Sequence, residues 1–255
     1  MIWHASCLMN GMDNGIYIAL ARQTALFRDM AVTTNNLSNA NTTGFQAERP
    51  VFSEYLRRDV NRGDKNKMAF ANDIASYRSL EDGPRRVTGN RLDVAINGPG
   101  FFMVETDRGV RYTRNGSFTL SDEGRLVTQE GYPVLDASSQ YIEFPPEAED
   151  IGVGSAGNIT VNGEDFGSIG VARFENSQYL NQTVSGMFTS DIDPTIAGEE
   201  EVSMAQGMLE NSNVQPIIEL TRMMEISRNM GSVSKYIETL YDLQRKTTNT
   251  FTQQA

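Results

Sequence analysis

Carboxylates are the most abundant reactive groups in this chain. Glu105, Asp107, Asp122 and Glu123 fall near the ends of short apolar stretches, where two of them can meet as the acid and base of a carbohydrate hydrolase. Their simpler role is to keep turns in water, and the pattern gives that role more weight. Other chemistry lacks partners. The one histidine, His4, and the one cysteine, Cys7, both lie in MIWHASCLMNG, the first eleven residues. That leaves no histidine base in the body of the chain, no spaced His or Cys set for a metal, and no internal disulfide. GVGSAG, residues 152–157, spells GxGxxG, but EAED precedes it and NITVNG follows it. A dinucleotide site needs a strand before the glycines and a helix after them, so this run reads as a β-loop. NGPGFF, 97–102, reads as a hairpin turn. The N-x-[ST] matches, such as Asn158 to Thr160, follow from a composition rich in Asn and Thr. The expectation is no catalytic residue, no cofactor and no metal.

What the sequence does carry is spacing. Ile16, Leu20, Gln23, Phe27, Met30, Thr34 and Leu37 follow a 4-3-4-3-4-3 order and predict a helix over 13–37 with a heptad-like seam. Met223, Ile226, Met230, Val233, Ile237 and Leu240 follow 3-4-3-4-3 and predict a second helix over 214–251, with Pro216 suited to its first turn. Gly231 is a weak point there, costing about 1 kcal/mol relative to Ala. A core-facing amphipathic helix has the same period. Neither seam has a long partner elsewhere in the chain, so the two ends are expected to pair, to be mobile in a free monomer and to order in an assembly. Met204, Met208, Met223, Met224 and Met230 form a set of adaptable apolar side chains that suits either a groove or a helix core.

Between the helices the period shifts to two. Leu92 to Ile96, Phe101 to Val104, Arg111 to Asn115, Ser117 to Leu120, Arg125 to Thr128 and Tyr132 to Leu135 read as short strands, with turns at Asn115-Gly116, Asp122-Glu123-Gly124 and Gln129 to Gly131. Ile159 to Val161 and Ser168 to Phe174 continue the set around Asn162-Gly163. The predicted class is α+β: long terminal helices pairing in a coiled-coil-like layer, with a central antiparallel all-β domain. The expected division is 1–12 as an N-terminal extension, 13–37 with 214–251 as a discontinuous helical domain, and 38–79 as hinge and extended connector. Residues 80–205 form the β domain and 206–213 a return linker. The connector holds a short helix near Ser53 to Asp59.

The hinge is the run TTNNLSNANTTGFQAERPVF, Thr33 to Phe52. Asn35, Asn36, Asn39 and Thr43 have short polar side chains that compete with the helix for backbone groups. Gly44 permits positive φ, Phe45 can anchor the turn, and Pro50 blocks further helix. An ordinary helix exit has the same composition. The residues assigned to the hinge are Asn35, Asn36, Leu37, Asn39, Thr43, Gly44 and Phe45. Those assigned to an assembly interface are Ile16, Leu20, Phe27, Met30, Leu37, Met223, Ile226, Met230, Val233, Ile237 and Leu240.

At 255 residues and 39% hydrophobic content the chain can bury a substantial core. A formal net charge of −11 argues against nucleic acid or an anionic membrane as main partner. No run reaches transmembrane length, and the first eleven residues lack the basic start and the length of a secretory signal. Trp3, His4 and Cys7 lie in that stretch, ahead of a natural-looking start at Met12.

NNLSNANTTGF at Asn35 to Phe45 resembles the N-terminal signature of the bacterial flagellar rod, hook and hook–filament junction family, with Ser38 and Gln46 where Ala and a basic residue are commoner. LDVAINGPGFFMVETDRGVRYTRNGSFTLSDEGRLVTQEGYPVL, Leu92 to Leu135, and QGMLENSNVQPIIELTRMMEISR, Gln206 to Arg228, are similar to that family's later blocks, in the same order. MDNGIYIALARQ is most like its proximal rod branch; the distal rod and the longer hook branch are the alternatives. The resemblance implies a non-catalytic subunit of the basal-body rod within the periplasm, exported by the flagellar type III apparatus. It implies copies of itself and other rod proteins as partners, with no nucleic acid and no direct membrane insertion. It also implies that Ile16, Leu20, Phe27 and Leu37 meet Ile226, Val233, Ile237 and Leu240. Outside the family, a secreted β-rich adhesin or binding module with helical ends is the competing class.

Overall fold

The computed structural model describes residues 2–58, 67–148, 150–183, 186–198 and 202–253, and within them the side chains of 15–51 and 76–250. The chain divides into two compact units. Met1–Ser38, Glu48–Tyr77 and Gln215–Ala255 form a helical unit; Asn39–Ala47 and Arg78–Val214 form a β unit.

In the helical unit, α1 (Ile2–Ser38) and α2 (Pro216–Gln253) pack against each other. They run antiparallel: Asp29 accepts a hydrogen bond from Arg222 at 2.8 Å, while Gly15, half a helix earlier, lies beside Tyr236 and Leu240. Pro216 starts α2 without an N–H to satisfy, and the carbonyl of Gln215 takes the N–H groups of Ile218 and Glu219. The hydroxyls of Thr24, Thr34, Thr221, Ser232, Thr239, Thr247 and Thr248 fold back on carbonyls four residues earlier, which lets these poor helix formers remain inside helices. The backbone of α1 is helical through residues 2–12. The side chains of Trp3, His4 and Cys7 fall outside the described ones.

The expected short helix near Ser53 is absent. Glu48–Arg58 is instead a strand, paired with Lys67–Arg78 in a two-stranded sheet. Pro50 cannot donate within a helix, and Val51, Phe52 and Tyr55 favour an extended chain. Asp59, the last residue of that expected helix, lies outside the described residues.

The β unit is built from short antiparallel ladders. A six-stranded sheet runs in the order Asn181–Gln182, Phe188–Thr189, Gly109–Thr113, Phe101–Thr106, Val171–Arg173, Thr195–Ile196. Its central strand explains the unbroken apolar run FFMV. Phe102 and Val104 point into one core, with Val94, Ile96, Phe118 and Val134, and Phe101 and Met103 into another, with Tyr112, Leu135 and Phe188. A strand buried on both faces shows no polar alternation. Edge-on aromatic pairs close each side, Phe102–Phe118 at 5.0 Å and Phe101–Phe188 at 5.5 Å.

Two Asn-Gly pairs resolve differently. Asn162 and Gly163 both take positive φ, 54° and 89°, and join the paired strands Asn158–Val161 and Glu164–Ser168. Asn115-Gly116 joins strands that do not pair with each other: Gly109–Thr113 pairs with Phe101–Thr106, and Phe118–Leu120 with Leu126–Thr128. Gly116 serves close approach, because a Cβ there would sit 1.7 Å from the carbonyl oxygen of Val94. NGPG is likewise a turn between sheets and not a hairpin, since Val94–Asn97 pairs with Ser203–Gln206.

Candidate assembly interface and its anchoring joint

The contact face of α1 is rotated by one residue from the seam expected in half of its positions. Ile16, Gln23, Met30 and Leu37 are half-buried, and Ala19 and Thr33 are buried, with Leu26 half-buried between them. Leu20 and Phe27, expected to face α2, are 42% and 55% exposed. Small Ala19 and Thr33 admit the partner helix closely, which bulkier Leu20 and Phe27 do not. On α2, Ile226 and Val233 are buried, and Met223, Met230, Ile237 and Leu240 half-buried. Tyr17, Leu20 and Phe27 therefore form a second, outward row, and Ile217, Leu220 and Met224 do the same on α2.

The joint begins with Asn36, only 1% exposed. Its side-chain amide donates to the carbonyl of Glu48 at 2.8 Å, and its amide oxygen accepts the N–H of Glu48 at 2.9 Å. One side chain thereby satisfies both backbone groups where the first strand starts. Glu219, 1% exposed in the first turn of α2, lies 3.5 Å from Arg49. Asn35 is exposed on α1. Asn39 and Thr43 are half-buried in the turn that follows, where Asn39 accepts from Thr42 through both its carbonyl and its side chain.

Within the β unit, Gly44 stands at φ +69° and donates to the carbonyl of Glu210 at 2.8 Å. A Cβ there would lie 2.5 Å from the carbonyl carbon of Arg114. Phe45, 5% exposed, packs with Ala40, Ala47 and Val214 in a small cluster separate from the two sheet cores. Asn213 ties three segments together, accepting from Ala47 N–H at 2.7 Å and donating to the carbonyls of Ser79 and Glu81. Beneath the turn is a buried ion pair: Arg114 and Glu210 at 3.3 Å, both 3% exposed, with Asp82 at 3.7 Å from the same guanidinium. Glu210 also accepts the N–H of Gly83 at 3.0 Å. Burial holds its carboxyl above the usual range, against the opposing pull of Arg114.

Arg114, Glu210 and Asn213 were not singled out from the sequence, although each lies in a quoted block, YTRNG or LENSNV. A charged residue in a strand-rich stretch gives no sign of being buried until a partner from a distant segment is placed against it.

The remaining chemical candidates dissolve into turns. A cleft of about 650 Å³ is lined by Glu105, Asp136, Tyr141, Glu143 and Phe166. Asp136 accepts the N–H groups of Ser138 and Gln140, and Glu143 binds Arg125 at 2.6 Å. Glu105 is hydrogen-bonded to Tyr141, and that bond raises the phenol pKa. Asp107, Asp122 and Glu123 are exposed at turns, Glu123 beside Arg125. GVGSAG spans the connection between the paired strands Ile151–Val153 and Asn158–Val161, with no helix after it. Among the described residues no group of His, Cys, Asp and Glu is arranged to hold a metal. The methionines do not form one stripe: Met204 belongs to a sheet core, Met223 and Met230 to the helix seam, and Met224 faces outward.

Comparison with known proteins follows the same three blocks. A flagella basal body rod protein family matches residues 16–46, a flagellar hook protein FlgE/F/G D1 domain family matches 95–161, and a flagellar basal body rod FlgEFG protein C-terminal family matches 205–250. The flagellar basal-body rod protein FlgF of Caulobacter vibrioides is 37% identical over 235 residues, covering 92% of this chain and 96% of that protein. FlgF of Mesorhizobium japonicum is 33% identical, covering 85% and 89%, and FlgG of Bacillus subtilis is 27% identical, covering 93% and 99%. With its terminal helices paired, its β unit between them in sequence, and these matches over nearly its whole length, the chain belongs to the flagellar basal-body rod protein family.

Proposed function

We propose that the protein is a structural subunit of the proximal rod of the bacterial flagellum. It leaves the cytoplasm through the flagellar type III export apparatus and polymerises, with copies of itself and neighbouring rod proteins, into the axial tube that crosses the periplasm and transmits torque. The observation that carries this reading is the uncovered row of large apolar side chains on paired helices, in a chain of the rod family. Tyr17 and Phe27 on α1 are 65% and 55% exposed, and Ile217 and Met224 on α2 are 80% and 53% exposed. Left in water these rows are costly; covered by helices of neighbours, each large side chain contributes about 1–2 kcal/mol. Among the described residues no helix is long and apolar enough to cross a membrane.

In this reading the terminal helices form the assembly domain, through both the inner seam of Ile16, Met30, Leu37, Ile226 and Val233 and the outer row of Leu20 and Phe27. Burial shared among neighbours offsets the entropy lost when the helices order. The Asn35–Phe45 run is the hinge. It is fixed in the helical unit by the Asn36–Glu48 pair and in the β unit by Gly44 and Phe45. No step requires a catalytic group, a cofactor or a metal.

The test is genetic and biochemical. A strain lacking this chain is expected to be non-motile, without hooks or filaments, and the tagged chain is expected in purified basal bodies. Normal hooks in the deletion strain, or catalytic turnover by the purified monomer, would overturn the proposal.

A further inference from the structure

The β unit carries two exposed strand edges of opposite charge. Glu164–Ser168 is the outer strand of its three-stranded sheet. Glu164 and Asp165 are exposed there, next to Phe166, which is 43% exposed and stacked on Phe144. Among the described residues Arg85–Val87 pairs with Met208–Glu210 alone, all three of its residues are exposed, and Val87 is 70% exposed. Among the described residues Glu164, Asp165 and Arg86 enter no ion pair and no side-chain hydrogen bond, while Arg85 donates to Asn97.

We infer that these edges form a second self-contact, in which the acidic edge of one copy docks on the basic edge of the next. The inference rests on the rod reading, because it needs neighbours of the same chain. Charged edges normally prevent strands from associating. Here the signs permit one arrangement and forbid two: acid against acid and base against base repel, and only acid against base attracts. The allowed contact uses different surfaces on the two partners. When only one acidic and one basic edge engage between two copies, the contact is heterologous and propagates around an axis; engagement of both pairs at once would close a two-fold dimer, which the cross-linking below distinguishes by whether multiples beyond two form. The net charge of −11 makes copies repel overall, so local complementarity is what sets their register. Asp165 and Arg86 are the middle residues of their triplets and meet whichever way the edges run. In the sense that sets Glu164 against Arg85 and Phe166 against Val87 the flanking residues match as well; the reverse sense puts Glu164 on Val87 and is disfavoured. The sheet register is irregular between Ile159 and Thr160, opposite Phe166, so the edges meet through side chains rather than as a continued ladder.

The experiment uses cells whose sole copy carries Val87→Cys and Gly167→Cys with Cys7→Ser, which leaves Arg86 and Asp165 in place; Val87 is exposed and a Cβ at Gly167 meets nothing within 4 Å. Basal bodies are purified and treated with a short bis-maleimide. Dimers and higher multiples of the chain are expected, and neither single-cysteine chain should extend past a dimer. If the chain is present in basal bodies and both thiols react, but no multiples form, the inference fails and the rod reading stands. Cross-links to a different protein alone also overturn it. Absence of the chain from basal bodies overturns the rod reading and the inference with it. As a second arm, Arg86→Glu and Asp165→Arg should each reduce swarming and their combination restore it; no rescue by the combination counts against the pairing.

Discussion

Gly44 shows how little space the joint leaves. Its φ of +69° costs a residue with a Cβ about 1–2 kcal/mol, and the added atom would press on the backbone of Arg114. Gly44→Val is therefore expected to displace the 39–47 turn, as is Phe45→Asp, which would bury a charge beside Ala47 and Val214. Both should block rod completion while the sheet cores keep their cooperative melting, because the Phe45 cluster is separate from them. Motile cells carrying either change would refute this. Glu210 makes a pH prediction. Burial raises its folded pKa above that of the unfolded carboxyl, about 4.3, so the group takes up a proton on folding. Its stabilising contribution is complete below the unfolded value and is lost as pH rises through the folded one. The stability of the wild type minus that of Glu210→Gln should decline as pH rises above the unfolded carboxyl value in urea titrations. A rise instead would mean that pairing with Arg114 outweighs burial.

The helices carry the division between folding and assembly. Ile226 is buried on α2, so Ile226→Ala is expected to cost about 2–5 kcal/mol in the helical unit. Phe27 is 55% exposed, so Phe27→Glu should change monomer stability by no more than about 0.5 kcal/mol and yet abolish incorporation into basal bodies. Circular dichroism melts and basal-body fractionation separate the two effects; a large loss of monomer stability in Phe27→Glu would place that residue in the intrachain seam after all. Element by element, the heptad spacing located both helices. It misjudged the face of α1 because the spacing 16-20-23-27-30 and the spacing 16-19-23-26-30 share every second member. Hydropathy favours Leu20 and Phe27, but backbone approach favours Ala19 and Thr33. The two Asn-Gly pairs teach the same lesson: turn propensity is local, whereas strand pairing depends on which distant segment lies alongside.

For the whole molecule, exposed apolar rows on two long helices imply uneven stability. In the free monomer, amide exchange is expected to be faster through both terminal helices than in the six-stranded sheet, with α1 and α2 gaining much stronger protection in assembled basal bodies. Strong protection of both helices in the isolated monomer would defeat the idea that assembly orders them. The sequence alone determined the class, through heptad spacing at both ends and period-two runs with Gly turns between, since these patterns are written in neighbouring residues. It also carried the family resemblance in three blocks, the run Asn35–Phe45 among them. Only the tertiary structure decided which side chains meet: Asn36 with Glu48, Gly44 against Arg114, Glu210 with Arg114, and Asn213 across three segments. Those partners lie far apart in the chain, up to 166 positions for Ala47 and Asn213. Such burial and pairing are properties of the folded surface, which no local period encodes.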